Sequence, residues 1–383
     1  MDRSSGVRVA AALIPPALTL FPWAATAPIA YLIAVRWRAS GPVLRLGPWA
    51  TAVIAAAAVA TIAHATETNA WIGLGRTLAV ASVLASAPRW IRRSDAVPMA
   101  VGAFLALALV AAGSIVEVTL YSQPRASLSM FHPNLLGATM ALIGVATVGW
   151  LAGNRPNSRR AELVVPRFGA AVAAILAILA IVLTGSRTAL LAAAVGAIVT
   201  AGLWPRGARR RSIWGRWVFF AGLLGFLALT VGLLSQTAAS ARWTALDTWF
   251  DPTGRPVVWG YALELIVASP LLGYGFASWQ ELATTVDQAV RTERITHVHN
   301  GYLEVVLGGG LLLLVALLAW LTAIFRGLAK RARSGDPLGA VAVGTLTAFL
   351  TMNIAESYVA VEHLVLTAAL PVALAHSDGD DNP

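Results

Sequence analysis

The chain has 383 residues, 58% hydrophobic and 12% charged, with a mean hydropathy of +0.72. A soluble globule of that size could not cover so much apolar side chain, so a cytosolic enzyme or soluble binding module is excluded and a multi-pass membrane protein is expected. The net charge of +10 would point to nucleic acid in a soluble protein; in a membrane protein the informative quantity is which side of the bilayer holds the basic residues.

The apolar segments run to roughly 17 to 25 residues, which is helix-spanning and not strand-spanning length. In chain order, spans are expected at 9–21, 23–35, 47–63, 71–87, 97–120, 131–152, 168–184, 187–203, 217–235, 300–325, 338–355 and 358–376. The expected fold is therefore an all-α integral membrane bundle of about twelve transmembrane helices. Pro15, Pro16, Pro22 and Pro28 crowd the first pair, which reads as two short crossings, one long helix or a re-entrant pair. Arg3 and Arg8 before an apolar run that reaches Ala24-Ala25-Thr26-Ala27 imitate a signal peptide. Cleavage there would put Arg36 and Arg38 outside, so the segment is expected to be retained.

Of the 28 Lys and Arg, Arg3 and Arg8 precede the first span. Nineteen fall in five short loops: Arg36, Arg38, Arg45; Arg89, Arg92, Arg93; Arg155, Arg159, Arg160, Arg167; Arg206, Arg209, Arg210, Arg211, Arg216; and Arg326, Lys330, Arg331, Arg333. Those 21 mark the cytoplasmic face by the positive-inside rule, with both termini inside. Seven remain: Arg76, Arg125, Arg187, Arg242, Arg255, Arg291 and Arg294. The layout this implies is an N-terminal set of spans (1–235), one large outer loop (236–299), C-terminal spans (300–376) and a disordered tail (377–383). There is no cysteine, which excludes disulfides and thiolate metal sites. Ala-rich spans without a lipidation motif fit a bacterial cytoplasmic (inner) membrane.

The outer loop carries four basic and six acidic residues (Arg242, Arg255, Arg291, Arg294; Asp247, Asp251, Glu264, Glu281, Asp287, Glu293), so it is no nucleic-acid surface. Within it, Pro256 at a first helical position opens an apolar interfacial helix over 257–268, which the turn Pro270-Leu271-Leu272-Gly273-Tyr274-Gly275-Phe276 breaks. Arg187, beside the N-cap candidate Ser186, and Arg255 both start helices on the outer side. Unpaired N–H groups and the positive dipole end, joined by a guanidinium, suit an oxyanion such as phosphate. Each arginine equally fits a snorkelling or ion-paired residue. Arg76 lies just inside a span as a third phosphate contact or a structural partner of Glu67 or Glu117.

The run His297-Val298-His299-Asn300-Gly301-Tyr302-Leu303-Glu304 packs two imidazoles, an amide and a carboxylate into the start of a span. Such chemistry is costly beside lipid and reads as a functional site. His299 is the candidate base, with Asn300 or Glu304 fixing its tautomer and His297 in support. Two histidines at i and i+2 with Glu293 or Glu304 make a sparse zinc pattern, and neither a metal nor another cofactor is expected. Asn134, in Phe131-His132-Pro133-Asn134, is expected to cap its helix. Glu356, Glu362 and His363 at the last outer turn are read as solvated loop residues, with contact to an acceptor sugar as the alternative.

The ordered motifs Phe131-His132-Pro133-Asn134-Leu135, Thr184-Gly185-Ser186-Arg187-Thr188, Gly254-Arg255 with Trp259, Pro270 to Phe276, and His299-Asn300 leading to Gly310 cover roughly 130–325. In them the chain resembles the O-antigen ligase and O-antigen polymerase (Wzy) superfamily of membrane glycosyltransferases. The resemblance implies a GT-C-type helical fold and metal-independent, inverting transfer of a glycan from a polyprenyl-pyrophosphate carrier to an acceptor hydroxyl of a glycan, lipid or protein. It implies that Arg187 and Arg255 hold the pyrophosphate and that His299 activates the hydroxyl at the outer face. Leu313 stands where ligases commonly have a small or polar residue, which leaves ligase and polymerase both open. A transporter or flippase of the same lipid-linked glycan, or a non-catalytic assembly partner, are the competing readings. A coupled transporter is expected to keep a carboxylate near the bilayer midplane, and the acidic residues here fall near span ends.

Overall fold

A computed structural model describes residues 3–40, 48–64, 68–128, 132–153, 160–204, 255–275 and 297–377, together with Trp243 and Leu282. Its helices are α1 (Arg3–Leu20), α2 (Thr26–Ser40), α3 (Pro48–Ala63), α4 (Thr68–Trp90), α5 (Ala96–Thr119), α6 (Pro133–Gly153), α7 (Arg160–Thr184) and α8 (Arg187–Leu203). The C-terminal half adds α9 (Arg255–Ala268), α10 (Gly301–Arg333), α11 (Pro337–Met352) and α12 (Glu362–His376). No strand occurs among the described residues. The expected span 217–235 and most of 236–299 lie outside them.

The proline-rich start resolves into two helices joined by a short 3-10 turn at Pro22–Ala25, with Pro15 and Pro16 inside α1. Three stretches are long and apolar enough to cross a membrane by length and composition, namely Arg93–Thr119, Pro133–Leu151 and Gly301–Arg333, and seven shorter apolar helices accompany them. On α5, Val101, Leu105 and Leu109 are exposed four residues apart while Ala103, Leu107 and Val110 are buried. An exposed apolar stripe of that kind fits lipid on one face and the bundle on the other.

Packing is close because facing positions are small. On α11, a Cβ at Gly344 would stand 1.8 Å from Thr200 Oγ1 of α8, so only glycine admits this approach. The core runs through Leu18, Trp90, Met99, Leu107, Leu136, Met140 and Ile181. At one end of the bundle Arg36 makes a two-pronged pair with Asp95 at 2.6 and 2.9 Å, and Arg93 pairs with Asp336. Asp336 also caps α11, which holds Pro337 in its first turn.

α10 is not one continuous helix. Gly310 departs from helical backbone (φ 65°, ψ −171°) and breaks the hydrogen-bond ladder in a segment flanked by Gly308 and Gly309. The freed groups are taken up by the turn after α9: the N–H groups of Tyr274 and Gly275 donate to Leu307 and Gly308 at 2.6 and 3.0 Å, and Leu311 N–H donates to Pro270 O at 2.8 Å. Gly273, at φ +64°, has no room for a Cβ, which would lie 2.3 Å from Leu307 O. Two of the sequence motifs, 270–276 and Gly310, are thus halves of one interlock.

Replacing Gly310 by alanine imposes a left-handed residue and drives a methyl to 2.0 Å from Leu271 O. We expect a loss of roughly 2 kcal/mol or more, read as a lower midpoint of thermal unfolding in detergent. Gly327→Ala in the same helix, whose Cβ meets only His376 Nε2 at 3.5 Å, should leave the midpoint unchanged or raise it.

Candidate active site at the helix ends

Asn300 is the N-cap of α10, its Oδ1 accepting from Tyr302 and Leu303 N–H at 3.0 and 3.1 Å. Its other groups fasten the cap to the turn between α11 and α12: the backbone N–H donates to Ser357 Oγ at 3.1 Å and Nδ2 donates to Ile354 O at 3.0 Å. Gly301 N–H reaches the carbonyls of Asn353 and Glu356 at 2.8 and 3.0 Å. A Cβ at Gly301 would lie 2.2 Å from Asn353 Oδ1, so the glycine after the cap is required for this docking. Glu304, half-buried in the first turn of α10, stands against Ser357 and Val298. On the other side Trp259 of α9 donates to Val298 O at 3.1 Å, while Val258, Ala262, Val298 and Leu307 form a small core. His299 has left-handed backbone, φ 55°, which is uncommon outside glycine and tolerated where the surroundings fix it.

The centre of the site is Glu356, whose side chain is only 4% exposed. Its Oε1 accepts from Arg255 Nη2 at 2.9 Å and from Asn134 Nδ2 at 2.8 Å. Its Oε2 accepts from His299 Nδ1 at 3.2 Å, and His297 Nε2 lies 3.8 Å away. The two imidazoles stack, with ring centroids 3.9 Å apart. Burial would raise the Glu356 pKa, but the two neighbouring imidazoles and the Arg255 charge outweigh it, taking the carboxyl down to about 2. An ionised carboxylate can only accept, so His299 Nδ1 carries the proton. In the neutral ring that leaves Nε2 with a lone pair, the arrangement a general base needs.

The network extends to the start of α6 and the end of α7. Asn134 accepts from Arg125 Nη2, and Arg125 Nε donates to Thr184 O at 2.7 Å. Asn134 is therefore a bridge between Arg125 and Glu356; the group that serves the start of α6 is His132, whose Nδ1 accepts from Asn134 N–H at 3.3 Å. The expectation that Asn134 caps α6 is corrected accordingly: Asn134 is the second residue of the helix, its Oδ1 accepts from the Arg125 guanidinium and its Nδ2 donates to the buried Glu356 carboxylate. Ser186 does cap α8, accepting from Ala189 N–H at 3.4 Å, and half-buried Arg187 opens that helix beside the Thr184 carbonyl that Arg125 holds.

Of the residues picked from sequence, His297, His299 and Arg255 converge on one carboxylate, while Asn300 and Glu304 hold the loop that carries the histidines. The group against His299 Nδ1 is Glu356 in place of Asn300 or Glu304. Arg255 is ion-paired, and its Nε is buried with no partner among the described residues. Arg76 lies in α4, and its side chain is outside the described ones. Glu356, Asn134 and Arg125 were not picked. Their signals were present: an acidic residue in the nine-residue connection between two apolar helices, an amide just after His-Pro, and one of the seven arginines outside the basic loops.

Residues 172–318 match the family model described as O-Antigen ligase. The resemblance drawn from the ordered motifs therefore holds over that stretch, which contains Arg187, Arg255, the 270–276 turn, His299 and Gly310. The match supports a ligase-like or polymerase-like glycosyltransferase of the membrane at family level. No curated protein matches the chain.

Because the Glu356 pKa is depressed, its contribution to stability is present above the unfolded value of 4.5 and is lost as pH falls from there towards 2. Thermal unfolding followed from pH 7 down to pH 3 should show this loss beginning near pH 4.5 in the wild type. Glu356→Gln should be less stable at pH 7 and lack that part of the acid limb. An acid limb identical in the two proteins would contradict the network described.

Proposed function

We propose that the chain is a metal-independent, inverting glycosyltransferase. It moves a glycan from a polyprenyl-pyrophosphate carrier to an acceptor hydroxyl, at the outer face of the bacterial cytoplasmic membrane. The observation that carries the reading is the Glu356 carboxylate, shared between Arg255 at the start of α9 and His299 Nδ1 just before α10. One group thereby orients a cation suited to an anionic leaving group and a base suited to a hydroxyl.

In the reaction, His299 Nε2 takes the acceptor O–H proton as the oxygen attacks the anomeric carbon from the side opposite the pyrophosphate. A new C–O bond forms, the glycosyl–phosphate C–O bond breaks, and the electron pair leaves on the lipid-linked pyrophosphate. The resulting negative charge is met by Arg255, Arg187 and Arg76, together with the N–H groups of the helix starts that Arg255 and Arg187 open. Guanidinium suits this role because its fork matches phosphate oxygens and its charge persists near lipid, which makes a divalent cation dispensable. Asn300, His297 and Glu304 support the base by fixing its loop.

We further assign a GT-C-type bundle of about twelve spans, with 236–299 as the outer loop and both termini cytoplasmic. The charge asymmetry supports this, as do the described carboxylates of the long helices: Asp95, Asp336, Glu356 and Glu362 stand at or beyond helix ends and Glu117 and Glu304 within about a turn of one, where a coupled transporter would need one deep in the bundle.

The test supplies purified protein with a polyprenyl-pyrophosphate-linked glycan and hydroxyl acceptors. His299→Ala and Arg255→Ala should each cut transfer on the order of a hundred-fold or more while the protein remains folded. Wild-type rates in both would refute the assignment. A ladder of product lengths identifies a polymerase, and one block added to one acceptor identifies a ligase. For topology, the chain's lack of cysteine allows Arg206→Cys to be probed alone: it should resist an impermeant thiol reagent in intact cells, and ready labelling would invert the orientation.

A further inference from the structure

We propose that His297, His299 and Glu356 also form a binding site for a divalent transition-metal ion, Zn²⁺ foremost, and that the bound ion switches transfer off. The inhibitory half rests on His299 being the base; the binding half does not.

The donor atoms of the three residues lie within 4.8 Å of one another. A tetrahedral Zn²⁺ with bonds near 2.1 Å sets its ligand atoms about 3.4 Å apart. The His299 Nδ1 to Glu356 Oε2 distance of 3.2 Å already matches, and the His297 Nε2 to Oε2 distance of 3.8 Å is close. The remaining adjustment is on the order of 1 Å. The imidazole side chains are 28% and 39% exposed, so an ion has a way in and an outward fourth position for water. The carboxylate is pre-oriented by Arg255 and Asn134, both on Oε1, which leaves Oε2 to face the histidines. Two nitrogens and one oxygen suit Zn²⁺, Ni²⁺ or Cu²⁺ and not Mg²⁺ or Ca²⁺, which require oxygen cages.

The consequence for the base follows from the tautomer. Without metal, Nδ1 holds the ring proton against Glu356 and Nε2 offers its lone pair. Coordination places the ion on Nδ1, so the neutral ring must carry its single proton on Nε2. An N–H there donates and cannot take the proton of an acceptor hydroxyl. The ion thus occupies the orienting side of the imidazole and removes the base without touching the catalytic nitrogen. This also gives His297 a role that its distance from Glu356 does not otherwise require.

Purified full-length protein, stripped with a chelator, is titrated with Zn²⁺ by calorimetry and with Co²⁺ by visible absorption, and transfer is measured in parallel. One Zn²⁺ per chain should bind, and Co²⁺ should give the intense band of a tetrahedral site that Zn²⁺ abolishes. Transfer should fall on the order of a hundred-fold at saturation and recover with chelator, while Mg²⁺ has no effect. His297→Ala and Glu356→Gln should each weaken Zn²⁺ binding at least about ten-fold. His297→Ala, compared with its own metal-free rate, should resist inhibition by a matching factor. Absence of stoichiometric Zn²⁺, binding indifferent to both substitutions, or Zn²⁺ raising the rate would each overturn the proposal. If metal-free His299→Ala transfers at the wild-type rate, the base assignment and the inhibition fall together, and the Co²⁺ spectrum still decides the binding site alone.

Discussion

A single buried carboxylate organises one end of this bundle. Taking an ionised group out of water is costly, and Glu356 is tolerated at 4% side-chain exposure only because its partners converge on it from separate parts of the chain. Arg255 comes from the start of α9, Asn134 from the start of α6, and His297 and His299 from the approach to α10. None of these contacts is local in sequence; the nearest partner is 57 residues away. The burial cost therefore falls on the whole arrangement: if any one helix start moves, a charge is left in a place where neither water nor protein satisfies it. A site assembled in this way is specified by tertiary structure, and its geometry is as firm as the packing behind it.

That packing is firm where it matters because α9 and α10 are joined through their backbones. The turn after α9 occupies the break at Gly310, exchanging hydrogen bonds with Leu307, Gly308 and Leu311. His64, at the end of α3, adds a contact from its Nε2 to Gly273 O at 2.9 Å. Arg255 lies at one end of α9 and the interlock at the other, and the fourteen-residue helix between them is a rigid spacer. Its inner face is held by Trp259 and by the small core around Val258 and Val298. Arg255 is thus placed relative to His299 by covalent geometry, a helix and a backbone lock.

Much of this was legible in the sequence, and what was missed has a common cause. Span positions follow from hydropathy and charge asymmetry because lipid imposes a length and the translocation machinery imposes a sign. His299 and Arg255 stood out because polar groups beside a span demand an explanation. Ser186 was readable as a cap because capping is local. Glu356 and Asn134 were read as loop and cap residues since each, taken alone, looks like an ordinary helix-end residue; only their separation of 2.8 Å across 222 positions in sequence reveals the link. The interlock was half visible, as two glycine motifs that belonged together but showed no sign of being partners. Sequence patterns report what a residue needs locally, and a buried polar hub is defined by what lies opposite it.

The same hub bears on how the site meets an anion. Paired to Glu356 through one nitrogen, Arg255 is oriented but not saturated, since its Nε is buried without a partner among the described residues. Glu356 has Asn134 and His299 besides, so its charge does not depend on Arg255 alone. An incoming group with several phosphate oxygens can therefore engage the remaining N–H groups of the guanidinium without stranding the carboxylate. The carboxylate in turn fixes the guanidinium through one oxygen and the imidazole through the other; in the proposed reaction this keeps the guanidinium from following the departing anion. A single acidic side chain between a cation and a base lets each keep its position while the group it serves changes charge, which is the condition for stabilising a transition state without reorganising the site.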